Sequence, residues 1–248
     1  MNADRRMLLW TLVVEHAQGQ PAGVEHVCAA VVSLTGVDSV AVTVILDATP
    51  RETIHATDQV AADLEELTLT LGEGPGADAF AGAAVLVADL TTSDSLARWP
   101  VFAPAAIQFG IRAVFALPLQ VGAIRLGALN LYRAQPGDLD REQLADALVL
   151  ADTVCALLLD ATQGDGSRLD GHGPEPAAPQ HPEVHQATGM IVVQLGVTAA
   201  VAFVRLRAYA YANDRRLRDV AADVVARRLR FHEHTDGDSG ADVDGVET

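Results

Sequence analysis

Arg215, Arg216 and Arg218 crowd into the run NDRRLRDVAADVV, Asn213 to Val225, of a chain whose net charge is -16. A guanidinium is a planar fork of donors that binds phosphate oxygens in pairs and stacks on flat rings. The three fall at the start of a helix whose apolar face is Leu217, Val220, Ala221 and Val224, and they avoid that face. Cations at a helix N-terminus oppose the macrodipole, so helix stability does not account for them. Arg205 and Arg207 lie off the Leu206 stripe of the preceding segment and extend the same basic surface. Residues 184–232 carry 8 Arg against 3 acids, whereas residues 1–162 carry 8 Arg against 20 acids. The tail 233–248 has 6 acids and no base. A basic module bracketed by acidic sequence points to a polyanion partner for that module alone. Charge by itself fits a solvated Arg-rich face equally well.

Other chemistry is sparse. The chain has no nucleophile–base pair, metal-ligand spacing or phosphate loop, so an enzyme is not expected and no cofactor is implied. Cys28 and Cys155 sit in apolar helical stretches and form no CxxC pair, which suits a reducing cytoplasm. His172, His181, His185, His232 and His234 read as solvated or incidental. The apolar run Met7 to Val14 is too short to span a bilayer and lacks a cleavage site, so a cytoplasmic protein with no membrane partner is expected.

The elements that must position these residues divide into two modules. Residues 163–183 are rich in Gly and Pro and read as a flexible linker; residues 233–248 read as a disordered acidic tail. Before the linker, helical spacing marks 22–35, 58–71 and 140–161, with Asp140 as N-cap. Strands are expected from Val40, over Glu52–Ala56 and Val85–Leu90, and as a hairpin of Arg112–Val121 and Ala123–Tyr132 around Gly122. This is an α+β order over residues 1–162. Beyond the linker, residues 184–232 should form an all-α three-helix unit. Its faces are Val184, Ala187, Ile191 and Leu195, then Ala202, Phe203, Leu206 and Ala210, then the Leu217 face. Thr198 should cap the second helix and Asn213 or Asp214 the third.

LGEGPGADAFAGAAVLVADL (Leu71–Leu90), RWPVFAPAAIQFGIRAVFALPL (Arg98–Leu119) and LGALNLY (Leu126–Tyr132) resemble a bacterial GAF domain. The resemblance implies an antiparallel sheet with helices on one side and room for a small-molecule effector on the other. Asp89, Trp99, Phe102, Phe109, Phe115 and Asn130 are the pocket-lining candidates. A covalent bilin is poorly matched, because Cys155 lies in the final helix. Gly76 stands where related sequences often have Cys, which removes a redox role there.

VHQATGMIVVQLGVTAAVAFVRLRAYAYANDRRLRDVAADVV, Val184 to Val225, resembles an ANTAR domain. The matching residues are Gln186-Ala187-x-Gly189, Ala202-Phe203-x-x-Leu206-Arg207, Asn213 and Leu217-Arg218-Asp219-Val220-Ala221. The resemblance implies binding to paired stem-loops of nascent RNA and prevention of transcription termination. The contact set is then Arg205, Arg207, Asn213, Arg215, Arg216, Arg218 and Thr188. Thr188 replaces a residue that is usually basic, and Ala187 and Gly189 are expected to permit close helix packing. A GAF sensory half would modulate RNA binding. A homodimer, if formed, is expected through the N-terminal helix and the 140–161 helix. The competing reading is a DNA-binding transcription factor with a ligand-sensing GAF domain, since a small basic helical unit also suits a major groove.

Overall fold

The computed structural model describes residues 3–45, 51–164 and 182–232. The first module runs α1 (Ala3–Ala17), α2 (Val24–Thr35), β1 (Ser39–Val44), β2 (Glu52–Ala56), α3 (Gln59–Leu71) and α4 (Pro75–Ala81). It continues with β3 (Val85–Val87), α5 (Ser93–Arg98), α6 (Phe102–Gln108), β4 (Ala113–Val121), β5 (Ile124–Arg133) and α7 (Arg141–Gly164). The second module is α8 (Pro182–Leu195), α9 (Ala199–Ala212) and α10 (Leu217–Val225). Most of the expected linker and all of the expected tail lie outside the described residues.

The five strands form one antiparallel sheet in the order β2-β1-β5-β4-β3. Side chains alternate across a sheet, and here both alternations are apolar. Val40, Val42, Phe115, Leu117, Leu129 and Leu131 face α1, α2 and α7 in one buried cluster. Ala41, Val114, Ala116 and Tyr132 face α3, α4 and α6 in the other. Helices therefore cover both faces, which corrects the expectation of helices on one side only. Apart from Tyr132, the strand residues of the second face are small, which lets the short helices approach closely.

Those short helices, α4 to α6, go beyond what the sequence predicts. Six- and seven-residue helices are marginal alone, and these are held by tertiary bonds. Glu73 Oε1 accepts from the Val101 and Phe102 amides at 2.9 and 2.7 Å, fixing the entry to α6. Trp99 Nε1 donates to Asp78 Oδ2 at 3.2 Å, and the Arg98 guanidinium lies 4.7 Å from the Trp99 ring centre. The third strand is shorter than expected because Leu90 N–H donates to Arg112 O and Ala88 O accepts from Gly137 N–H. At Gly127 an added Cβ would run into Thr43 O, so only glycine lets β5 lie against β1 there.

In the second module, the buried faces are those the spacing predicts, except that Phe203 is only half-buried. Val184, Ala187, Ile191, Leu195, Ala202, Leu206, Ala210, Leu217, Val220, Ala221 and Val224 form one core. Thr198 caps α9 through Val201 N–H. Gly196, at φ 63°, ends α8 where its apolar period stops. The third cap differs from expectation. Arg215 N–H still bonds Ala210 O, so residues 213–215 finish α9 instead of opening α10. Asn213 is the C-cap of α9, its Nδ2 donating to Tyr209 O at 2.8 Å, and Arg216 takes the N-cap of α10. No single described helix is long and apolar enough to cross a membrane.

Candidate nucleic-acid interface

The arginine cluster is assembled from α9 and the start of α10, and much of it is already engaged. Helix α3 of the first module lies against it. Arg216 Nη1 stands 3.4 Å from Asp63 Oδ1 and 3.7 Å from Glu66 Oε2. Arg218 Nε stands 3.5 Å from Glu66 Oε1. Arg207 Nε donates to Thr70 O at 3.0 Å, and its guanidinium packs over Gly72 and near the Phe203 ring. Leu69 of α3 completes the dock by joining the second module's buried core. His185 of α8 adds a fifth link, 3.9 Å from Glu52 of β2.

The remaining basic residues divide by partner. Arg215 donates to Asp223 Oδ2 at 2.7 Å, and Arg228 donates to Asp223 Oδ1 at 2.7 Å. Those two hydrogen bonds, Arg215's first, hold the Asp223 carboxyl below the usual range. Arg205, Arg227 and Arg230 are exposed, with no carboxylate partner among the described residues. Burial lowers the Arg207 pKa, and the nearby Arg51 charge lowers it further. Thr188 is buried and its hydroxyl donates to Val184 O at 2.7 Å, so it does not present the surface contact expected of it. Gly189 is the other correction: it lies on the outer face of α8, where an added Cβ would meet nothing within 4 Å, so it serves no helix packing among the described residues.

The six pocket candidates of the first module do not converge. Asp89 is spent on its loop: it accepts from Arg112 and from Thr91, and the Arg112 hydrogen bond drives its pKa far below the usual carboxylate value. Trp99 and Phe102 are core residues, Phe109 is exposed, and Phe115 points to the opposite face of the sheet. Only Asn130 faces a cavity. Glu65, Thr43 and Asn130 supply the polar part of its lining, and Ile45, Phe80 and Ala128 the apolar part. Glu65 Oε1 accepts from Asn130 Nδ2 at 2.7 Å and from Tyr132 OH at 2.6 Å, while Oε2 accepts from Thr43 OH at 2.7 Å. Burial, reinforced by the Glu65 charge and hydrogen bond, raises the Tyr132 pKa well above normal. Asn130 Oδ1 is buried without a hydrogen-bond partner among the described residues, and Arg51 lines the same space. The free volume is about 10 Å³, room for one water at most.

Sequence reasoning placed Arg205 and Arg207 on α9 and Arg218 on α10 correctly, but Arg215 and Arg216 lie in the turn before α10 instead of on it, and the acidic counterparts were missed. Asp63, Glu65 and Glu66 read as the polar side of an amphipathic α3. One signal was available: Leu69 lies off the Val60, Leu64 and Leu67 stripe, so the helix has a second apolar contact to make.

A double-faced α/β sandwich that carries a docked basic three-helix unit has the make-up of a sensory–effector regulator. The chain belongs to the GAF domain family, matched over residues 23–159, and residues 177–225 match the ANTAR domain. The ANTAR class is one of RNA-binding antitermination regulators. A domain of a two-component sensor histidine kinase from Sinorhizobium meliloti is 13% identical, with 59% of this chain and 95% of that chain covered and a TM-score of 0.49. The GAF domain of a phosphoenolpyruvate-protein phosphotransferase from Coxiella burnetii is also 13% identical, covering 67% of this chain and 99% of that chain, with a TM-score of 0.49. Its counterpart from Acinetobacter is 11% identical over 67% and 99%, with a TM-score of 0.46. No curated protein matches the chain.

Proposed function

We propose that the chain is an antiterminator whose GAF module holds the RNA-contacting arginines against helix α3 and surrenders them on a signal. The observation that carries this reading is the contact of Arg216 and Arg218 with Asp63 and Glu66 at 3.4–3.7 Å. The carboxylates of α3 compete with the phosphates of a stem-loop for the Arg216 Nη1 and Arg218 Nε edges. Helix α3 and RNA therefore compete for one surface.

The energies suit a switch. Arg216 and Arg218 are nearly half exposed, at 47% and 45%, so each pair is worth only about 0.2–1 kcal/mol. Leu69 burial adds about 1.5–3 kcal/mol. A dock of a few kcal/mol is within reach of an effector that prefers the open form.

The input lies on the other side of the same helix. Glu65 ties α3 to β1 and β5 through Thr43, Asn130 and Tyr132. With room for one water, the cavity admits an effector only if α3 or α4 shifts. An effector that supplied a donor to Asn130 Oδ1 would compete for this network and move the helix that holds the arginines. A second copy of the chain is placed on the exposed apolar side of α1, at Met7, Leu8 and Trp10, and beside it at Leu148 of α7. Light scattering of Trp10→Glu against the unaltered chain checks that placement.

The functional test compares hairpin RNA with duplex DNA at one salt concentration. Asp63→Asn with Glu66→Gln should bind hairpins about fivefold more tightly than the unaltered chain, equivalent to about 1 kcal/mol. Arg215→Ala with Arg216→Ala and Arg218→Ala should lose hairpin binding in that background. Equal or tighter binding of duplex DNA would reject the RNA reading in favour of a DNA-binding regulator.

A further inference from the structure

The second module has another surface that the GAF module leaves open. After α10 the chain reverses at Arg227, whose φ of 59° is uncommon for a residue with a side chain. The reversal is tied down at both ends. Arg228 and Leu229 amides bond Asp223 O; Phe231 N–H donates to Gln194 Oε1 at 2.9 Å, and the Phe231 ring meets Tyr209 edge-on, 5.5 Å between centres. The returning segment sets Arg227 and Arg230 beside the outer face of α8. Between them lies an open groove of about 490 Å³, within the roughly 300–1,000 Å³ of ligand sites.

The floor of the groove is not explained by folding. The core of α8 is supplied by Val184, Ala187, Ile191 and Leu195. Gln186, Gly189 and Val193 form an outward stripe, with Val193 85% exposed, and half-buried Met190 borders it while also packing against the core. Glycine within a helix destabilises it relative to alanine, and among the described residues nothing packs over Gly189 to offset that cost. A bare backbone on an exposed helix face suits close approach by an external group. The two guanidiniums beside it, with no carboxylate partner among the described residues, specify an anionic group. A second copy of the same groove fits badly, since it would bring four guanidiniums together.

Resting on the RNA-binding reading above, we propose that this groove seats an unpaired loop nucleotide of the RNA. The base lies over Gly189 against Met190 and Val193, its edge is read by the Gln186 amide, and Arg227 and Arg230 hold the flanking phosphates. Unstacked loop bases are the usual targets of sequence-specific RNA recognition, and stacking on flat or apolar side chains is how they are held. Because α3 covers Arg207, Arg216 and Arg218 and not this groove, RNA can take hold here before the modules separate.

The test uses full-length chains carrying Asp63→Asn and Glu66→Gln, so that docking does not mask binding, and hairpin RNAs with randomised loops as probes. Adding Arg227→Ala and Arg230→Ala should weaken hairpin binding about tenfold and reduce the slope of log affinity against log salt by about 2. Gly189→Leu should flatten discrimination among loop sequences and leave the salt slope unchanged. Gly189→Ala, which favours the helix, controls for folding by circular dichroism. If the released chain binds hairpins and these variants bind them identically, the groove assignment is wrong while the RNA reading stands. If the released chain binds no hairpin, both fall. A change in mass on Gly189→Leu, seen by light scattering, would make the groove a protein interface and overturn its assignment to RNA.

Discussion

Glu65 and Glu66 are neighbours on α3 and nearly equally buried, at 4% and 7% exposed, yet they are buried by different things. Successive residues of a helix point about 100° apart. Glu65 turns into its own module and gathers three neutral donors from two strands. Glu66 turns outward and meets the arginines of the second module. A buried carboxylate with matched donors is part of a fold. A carboxylate covered by half-exposed guanidiniums is part of a contact that can open. The comparison teaches that burial does not distinguish structure from regulation, whereas the chemistry and exposure of the covering groups do.

The largest expected effect tests that distinction directly. Glu65→Ala strands the Thr43 and Tyr132 hydroxyls and the Asn130 amide in the interior, and unpaired buried groups cost about 1–3 kcal/mol each. A loss of about 3 kcal/mol or more should appear as a lower urea midpoint. Glu66→Ala should change the same midpoint by about 1 kcal/mol or less. Equal losses from the two substitutions would erase the comparison.

Next in size is Leu69→Ala. Leu69 is the apolar anchor of the dock, at 6% exposed, and leucine truncation in a core costs about 2–5 kcal/mol. The low end is expected here, because only one side chain of α3 enters the second core. Hydrogen exchange of the α9 and α10 amides should quicken, while β1, β4 and β5 keep their protection. Slower exchange in the sheet than in α9 would sharpen the boundary between fold and contact; uniform acceleration would blur it.

A smaller effect is expected from salt. Raising ionic strength from about 0.1 to 1 M shortens the screening length from about 10 to 3 Å. The pairs at Arg216 and Arg218 should weaken, and the separation of the modules should rise, measured by energy transfer between dyes on α1 and α9. Asp63→Asn with Glu66→Gln should remove most of that salt response. A response that survives the double substitution would place the electrostatic part of the dock elsewhere, at His185 and Glu52.

How far this arrangement was legible in the sequence depends on the range of the interaction. Helical spacing alone gave the core of the second module, because Val184, Ile191, Leu206, Leu217 and Val224 follow one local period. The turn glycines 122 and 196 were legible for the same reason. Thr188 and Gly189 were read the wrong way round, the first as surface and the second as packing. Their orientation follows from the phase of α8 against two partner helices, which a motif does not carry. The cavity was harder still. Phe115 and Asn130 both looked like pocket residues, but they differ in strand parity once registered, and parity puts Phe115 on the α2 and α7 side. The pairing of Glu66 with Arg218 spans some 150 positions, and no local pattern encodes it.

The smallest effect concerns pH and a group remote from both glutamates. His55 lies on β2, and burial holds its pKa below the ordinary value of 6.5, with the His26 charge adding to the depression and Glu25 opposing it. The unfolded chain therefore binds a proton more readily than the folded one. Stability from this group is complete above pH 6.5 and is lost as pH falls through that value toward the lower folded pKa. His55→Gln should flatten the midpoint-versus-pH curve as pH falls below about 6.5 without altering its salt dependence. The dock should show the opposite profile, sensitive to salt and unchanged by His55→Gln. If the substitution moved the separation of the modules as well as the pH curve, the sheet and the dock would be one cooperative unit, and α3 could not serve as the hinge between them.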